Sequence, residues 1–138
     1  MSSDADAPSK GEKARVLMVD DEPDFVQIVR GWLSPHYRFY SAYTGDDLMW
    51  TIGERRPDAV ILDVNLPDLD GFELCRAIRE TKRFAAVPIV FLTASRDKDH
   101  PFKSWRAGGS KYMTKPVTRA ELLSTLSQLL ARPVLPPR

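Results

Sequence analysis

With 138 residues and a mass of 15.6 kDa the chain is the size of one domain, and 43% hydrophobic with 28% charged residues exclude a disordered or collagen-like polymer. A single cysteine, Cys75, excludes an internal disulfide framework and a cysteine-rich metal site. The net charge of +1 hides a division: residues 1–75 hold 15 acidic and 7 basic side chains and residues 76–138 hold 4 acidic and 13 basic, so one pole is acidic and one basic, a distribution able to steer a charged partner.

Residues 1–14 are polar, small or charged and read as a disordered tail. They contain no apolar stretch of the secretory kind, and no run in the chain reaches the ~20 apolar residues that cross a bilayer, so a reducing cytosol is the expected compartment. The first apolar run, 16–19, leads to a helical stripe of Phe25, Ile28, Val29, Trp32 and Leu33 that Pro35 closes. A weaker strand pattern at 37–42 precedes the stripe Leu48, Met49 and Ile52, closed by Pro57. The run 59–62 leads to a third stripe, Phe72, Leu74, Cys75 and Ile78, on which Cys75 is expected to be a small core side chain; Arg76, Arg79, Lys82 and Arg83 read as a solvated helix face. The run 87–92 is followed by a polar segment, and a weaker strand pattern at 111–114 by the stripe Leu122, Leu123, Leu126, Leu129 and Leu130. Thr118 and Glu121 have capping-box spacing at its start. Residues 132–138 carry three prolines and read as a stop or the start of a linker. His36 and His100 are expected at the surface, and Trp50 and Trp105 partly exposed, where either could mark a contact.

A β-α pattern repeated five times implies an open, doubly wound parallel sheet with helices on both faces and right-handed crossovers. The nearly continuous apolar runs agree, because a parallel strand covered on both faces has no wet side. Ligands of such sheets sit beyond the carboxyl ends of the strands. There the first run delivers Asp20, Asp21 and Glu22, the third Asp63, the fourth Thr93, and the fifth Lys115 followed by Pro116; the second ends in Ala42, which suggests an outer strand.

Three aspartates meeting in one crevice repel one another and need compensation. Lys115 supplies one positive charge, and a hard divalent cation such as Mg²⁺, which takes one or two carboxylates with water and phosphate oxygens, supplies more. A carboxylate beside such a cation and a lysine is set up to attack phosphorus, with the Thr93 hydroxyl as a donor to a phosphoryl oxygen. Composition does not choose which aspartate attacks.

Four segments together carry a resemblance: Val19-Asp20-Asp21-Glu22, then Asp63-Val64-Asn65-Leu66-Pro67-Asp68-Leu69-Asp70-Gly71, then Thr93-Ala94, then Lys115-Pro116. In order and spacing, over residues 15–131, the chain resembles the receiver domain of two-component response regulators. The resemblance implies a flavodoxin-like fold with strand order 2-1-3-4-5. It implies that Asp63 is the phosphoacceptor, that Asp21 binds Mg²⁺ (or Mn²⁺) directly and Asp20 through water, and that Asn65 offers the metal its backbone carbonyl. It further implies that Thr93 is the switch hydroxyl, that Lys115 contacts the phosphoryl group, that Tyr112 turns inward with Thr93, and that the side chain of Asn65 and Ser95 tune hydrolysis of the phosphoaspartate. The Lys115–Pro116 bond is expected to be cis. The implied partners are a histidine kinase or histidine phosphotransfer protein, and an output protein or second copy at the surface of the fourth helix, fifth strand and fifth helix. Neither nucleic-acid binding nor a membrane is implied for this chain, and only one helix follows Pro116, too little for a helix-turn-helix output.

Three positions depart from the family pattern. Pro101 falls where the fourth helix usually has its interior, so that helix is expected to be short and to begin near Pro101. Gly109 stands in place of the more common alanine and Lys111 in place of an acid, and both are expected to loosen or recharge the turn before Tyr112. Two other readings compete with the phosphorylated receiver: a phosphatase with an aspartate nucleophile, although the Asp-x-Asp pair of such enzymes is here adjacent, and a receiver fold that docks without phosphorylation. A flavodoxin-type cofactor protein is disfavoured, because no Ser/Thr/Gly-rich phosphate loop follows the first run.

Overall fold

The computed structural model describes residues 13–94 and 96–131; Ser95, residues 1–12 of the expected N-terminal tail and the Pro-rich residues 132–138 lie outside it. The elements alternate as β1 (Arg15–Val19), α1 (Pro23–Leu33), β2 (Arg38–Ala42), α2 (Gly45–Arg55), β3 (Ala59–Leu62), α3 (Gly71–Glu80), β4 (Ile89–Thr93), α4 (His100–Ala107), β5 (Lys111–Thr114) and α5 (Arg119–Leu130), with a single 3₁₀ turn at Lys82–Phe84 before β4. All strand pairs are parallel and the order is β2-β1-β3-β4-β5, the doubly wound sheet expected. The fourth strand opens at Ile89 rather than at residue 87, because Pro88 has no N–H for the ladder and contributes only its carbonyl, which accepts from Val60 N–H at 2.9 Å.

The period of two along each strand sorts the core into two layers. Leu17 and Val19 of β1 join Val60, Leu62 and Phe91 under α2, α3 and α4, while Val16 and Met18 join Ile61, Val90 and Leu92 under α1 and α5. On α1 the buried face is Val26, Val29 and Leu33, and Ile28 is exposed, as is Met49 on α2. Four of the five residues expected on the α1 stripe pack on the core, Val29 and Leu33 fully and Phe25 and Trp32 in part, while Val26 is buried in place of Ile28. Thr118 and Glu121 form the capping box on α5, and Cys75 is buried in the core.

The fourth helix starts at His100 with Pro101 in its first turn, where a missing N–H costs no hydrogen bond, and it is only 8 residues long. It ends on Gly108, whose φ of 99° is a left-handed conformation that favours glycine. Arg79 of α3 grips that end: Nε and Nη2 donate to Gly108 O at 2.9 and 2.7 Å, and Nη1 donates to Val87 O at 2.5 Å. Arg79 is thus not part of a solvated basic face, and burial pulls its pKa below the ordinary arginine value. The Cys75 thiol adds a donation to Ala107 O at 3.3 Å.

Gly109 does not loosen the turn; the packing requires it. A Cβ there would lie 2.6 Å from Ser104 Oγ and 2.8 Å from Phe91 Cε2, inside contact distance of a buried hydroxyl and a buried ring. Gly109→Ala is expected to destabilise the fold by roughly 1–3 kcal/mol, as overpacking does, with partial recovery in Gly109→Ala/Ser104→Ala; urea unfolding of the three proteins measures both.

Candidate functional site

The register of β1 with β3 pairs Val19 with Leu62, so Asp20 and Asp63 leave the sheet side by side. Each is anchored twice. Asp20 N–H donates to Ala42 O at 3.2 Å and Asp63 N–H to Val19 O at 3.0 Å, which carries the ladder one residue past the strands. Asp20 Oδ1 then accepts from Glu22 N–H at 2.9 Å, and Asp63 Oδ1 from Asn65 N–H at 3.1 Å. These turns leave the Oδ2 atoms facing one another's neighbourhood. Asp20 is 1% and Asp63 6% exposed, whereas Asp21 stands at the open rim; one carboxylate oxygen from each of the three lies within 4.8 Å of the others. This acidic cluster could hold a metal ion.

The fifth strand delivers the compensating charge. Lys115 N–H donates to Thr93 O at 2.8 Å, and the following bond to Pro116 is cis, as expected. Lys115 Nζ sits 2.8 Å from Asp20 Oδ2, 2.8 Å from Glu22 Oε1 and 3.7 Å from Asp63 Oδ2, and 4.6 Å from the centre of the Phe25 ring. Burial works against the ammonium, but hydrogen bonds to Asp20 and Glu22 and the charges of Asp20 and Asp63 outweigh it, so Lys115 titrates above the usual lysine value. For Asp20 burial wins: its pKa is raised despite the Lys115 hydrogen bond and the Glu22 N–H, and the charge of Asp63 adds to the rise.

Thr93 ends β4 fully buried, in register with Thr114. Tyr112 pairs with Phe91 and packs against the core beneath α2, α3 and α4; its hydroxyl is buried without a hydrogen-bond partner, and burial, then the charges of Asp97 and Asp63, raise its pKa. The structure therefore brings Asp20, Asp21, Asp63, Asn65 and Lys115 to one edge, with Thr93 at the end of β4 and Tyr112 two residues back from the end of β5; Ser95 lies outside the described residues.

Other acids of the segment 63–71 hold the frame. Asp68 accepts from the N–H groups of Gly45 and Asp46 at 2.8 and 3.2 Å, and these bonds, the first foremost, lower its pKa. Asp70 caps α3, accepting from Phe72 N–H at 2.8 Å. Gly71 donates to Val64 O at 2.7 Å, so close that a Cβ would lie 2.7 Å from Val64 Cα and press on the Asp63 carbonyl oxygen.

The sequence places Glu22 at the first strand exit and Phe25 on the α1 stripe but assigns neither a role in the site. Glu22 is half of the lysine's anchoring and Phe25 its ring platform; the only signal was their spacing after Asp21. The surface assignment of His100 is corrected. Its ring is 13% exposed, stands edge-on to Phe72 with centroids 5.2 Å apart, and has Nε2 3.6 Å from Asp97 Oδ2, because His100 opens the short α4 on the side that faces α3. His36 is exposed as expected.

Residues 16–127 match the model of the response regulator receiver domain. The chain belongs to this family. The receiver is 37% identical over 118 residues to the transcriptional regulatory protein GltR of Pseudomonas aeruginosa, covering 85% of this chain and 49% of that one. With the transcriptional regulatory protein TrcR of Mycobacterium tuberculosis it shares 35% over 125 residues, covering 88% and 47%. It thus spans about half the length of these curated relatives. Among solved structures, a putative response regulator from Chloroflexus aurantiacus superposes with a TM-score of 0.83 at 31% identity, over 88% of this chain and 100% of that one. The chemotaxis response regulator CheY4 of Vibrio cholerae superposes with 0.80 at 30%, over 86% and 99%. Among the described residues no helix of the receiver is long and apolar enough to cross a membrane.

Because the folded pKa of Asp20 is raised, its carboxylate form opposes folding above that pKa, and the effect vanishes below the ordinary aspartate value of 3.8, where the group is protonated folded and unfolded alike. Asp20→Asn is expected to stabilise the metal-free receiver at pH 7, on the order of 1 kcal/mol, and to leave it unchanged at pH 3. A divalent cation held by the acidic cluster would stabilise wild type by about 1.4 kcal/mol at ten times its dissociation constant, and the variant less; urea melts at both pH values, with and without Mg²⁺, measure all three effects.

Proposed function

We propose that this receiver takes a phosphoryl group on Asp63 from a histidine kinase or histidine phosphotransfer protein, in a Mg²⁺-dependent reaction, and changes the surface it offers to an output partner. The observation that supports it best is the Asp63 carboxylate: Oδ1 is tied to Asn65 N–H, while Oδ2 faces Lys115 Nζ at 3.7 Å beside the oxygens of Asp20 and Asp21. The phosphodonor brings the phosphorus, the Asp63 oxygen forms the new bond to it, and the P–N bond breaks with its electron pair returning to the imidazole. Asp20, Asp21 and the Asn65 carbonyl would hold Mg²⁺, or Mn²⁺, which when bound supplies positive charge to the phosphoryl oxygens. Lys115 supplies the protein's own charge, and in approaching the phosphoryl group it gives up contact with Glu22.

Phosphorylation adds close to two negative charges. In this reading the Thr93 hydroxyl follows the lysine towards them and Tyr112 fills the space behind Thr93. The surface of α4, β5 and α5 then changes its populations; a full reversal from 1:99 to 99:1 would take ~5.5 kcal/mol. The Asn65 side chain, beside the Asp63 loop, and Ser95, two positions after Thr93 in the sequence, would tune how fast water hydrolyses the acyl phosphate. The chain then works as a cytoplasmic signalling module that catalyses only its own phosphorylation and dephosphorylation.

Incubation with a small phosphodonor such as acetyl phosphate and Mg²⁺ is expected to add one phosphoryl mass, and Asp63→Asn to abolish it. Labelling should fall at least tenfold in Lys115→Ala. Intact-protein mass spectrometry reads the outcome: full labelling of the Asp63→Asn protein removes the assignment, and steady turnover of phosphate esters in place of a single modification favours a phosphatase.

A further inference from the structure

The helices α2, α3 and α4 lie in that order over one face of the sheet. The two outer helices have opposite charge. Helix α2 carries Asp46, Asp47 and Glu54 against a single Arg55, and α4 carries Lys103 and Arg106 with no acid. Each also exposes aromatic surface that the fold does not cover: Trp50 on α2 is 66% exposed, and Phe102 and Trp105 on α4 are 58% and 71% exposed. An exposed tryptophan is costly to leave in water and is typical of the centre of an interface.

The spacing matches as well. Trp50 and Glu54 lie four apart on one face of α2, and Phe102 and Arg106 lie four apart on α4, with the Arg106 guanidinium 5.7 Å from the centre of the Phe102 ring. Crossover helices of a parallel sheet run the same way. A two-fold axis along α3 therefore sets α2 of one copy parallel to α4 of the other, aromatic against aromatic and Glu54 against Arg106. An axis across the helices would instead set acid on acid. Between the outer helices α3 exposes Glu73, Arg76 and Glu80, a mixed row and not a block of one sign. The contact closes on itself and uses both patches in each copy, so no sticky end remains.

We propose that two copies of this chain pair face to face about a two-fold axis parallel to α3, with the acidic α2 of each seated on the basic α4 of the other. The pairing leaves the metal-binding edge and α5 uncovered, and it needs neither phosphoryl group nor cation. A standard interface takes about 800 Å² from each partner, roughly a tenth of the 8091 Å² accessible surface of the chain.

Sedimentation velocity of the full chain, without phosphodonor or Mg²⁺, tests the proposal. Wild type is expected to pass from monomer to dimer with concentration, and less so in high salt. Glu54→Lys and Arg106→Glu should each weaken association by roughly tenfold or more through like-charge contacts across the axis. An equimolar mixture of the two variants should dimerise as wild type does, because Lys then meets Glu and Arg meets Glu at the two equivalent contacts. Circular dichroism of each variant establishes that it is folded. A wild type that stays monomeric to millimolar concentration, variants that associate unchanged, or a mixture that fails to recover would each overturn the pairing, the last two by placing any dimer contact on another surface.

Discussion

A single ammonium group, Lys115 Nζ, stands among the carboxylates of Asp20, Glu22 and Asp63, and the site exists because it can reach them. Two of those carboxylates are almost entirely withdrawn from water. Without a positive charge they would repel one another and take up protons in place of charge. The lysine comes from the far end of the sheet. Strands are spaced by about 4.8 Å, so three steps separate β5 from β1 by roughly 14 Å. No residue inside β5 spans that. Lys115 does so because it lies one residue past the strand, is held by its own N–H on Thr93 O, and sets its ammonium over the Phe25 ring.

The same division between reaching groups and framing groups runs through the acidic segments. Asp20, Asp21 and Asp63 turn towards the pocket, whereas Asp68 and Asp70 spend their oxygens on backbone N–H groups at the starts of α2 and α3. That framing sets α3 hard against the β3 exit, which is why Gly71 has no room for a side chain. At its other end α3 holds the turn between α4 and β5 through Arg79 and Cys75. The helix thus touches the Asp63 loop at one end and the approach to Tyr112 at the other, a continuous packed connection between the candidate phosphoacceptor and the surface it is proposed to control.

Most of the sheet was legible because buried parallel strands have to be apolar on both faces, and 16–19 and 59–62 are so without exception. The site was legible because its groups sit at strand exits, where the chain has little freedom. What escaped had a common cause: it depends on a distant partner. Arg79 looks like any helix-surface arginine until Gly108 O and Val87 O arrive beside it from other parts of the chain. Gly109 looks like a flexible turn residue until Ser104 and Phe91 fill the space of its missing side chain. His100 looks solvated until the short α4 lays it on Phe72. On α1 the stripe was right but for Ile28, since Phe25, Val26, Ile28 and Val29 are all apolar and only the sheet decides that it covers Val26.

The unpartnered Tyr112 hydroxyl gives the proposed switch its energetic footing. A buried hydroxyl without a hydrogen bond costs about 1–3 kcal/mol relative to one in water, and Tyr112 bears that cost here while its partly buried ring gains apolar contact with the core. The opposing gain is no larger, because full burial of an aromatic ring contributes about 1.5–3 kcal/mol and this ring is buried only in part. In the proposed switch, two positions of the ring then lie close in free energy. A shift of a few kcal/mol at the neighbouring Thr93 and Lys115 is enough to choose between them, which is the scale a phosphoryl group's charge can supply at partly buried partners. Had the hydroxyl found a partner inside, the ring would be fixed there and the α4–β5 surface would have nothing to report.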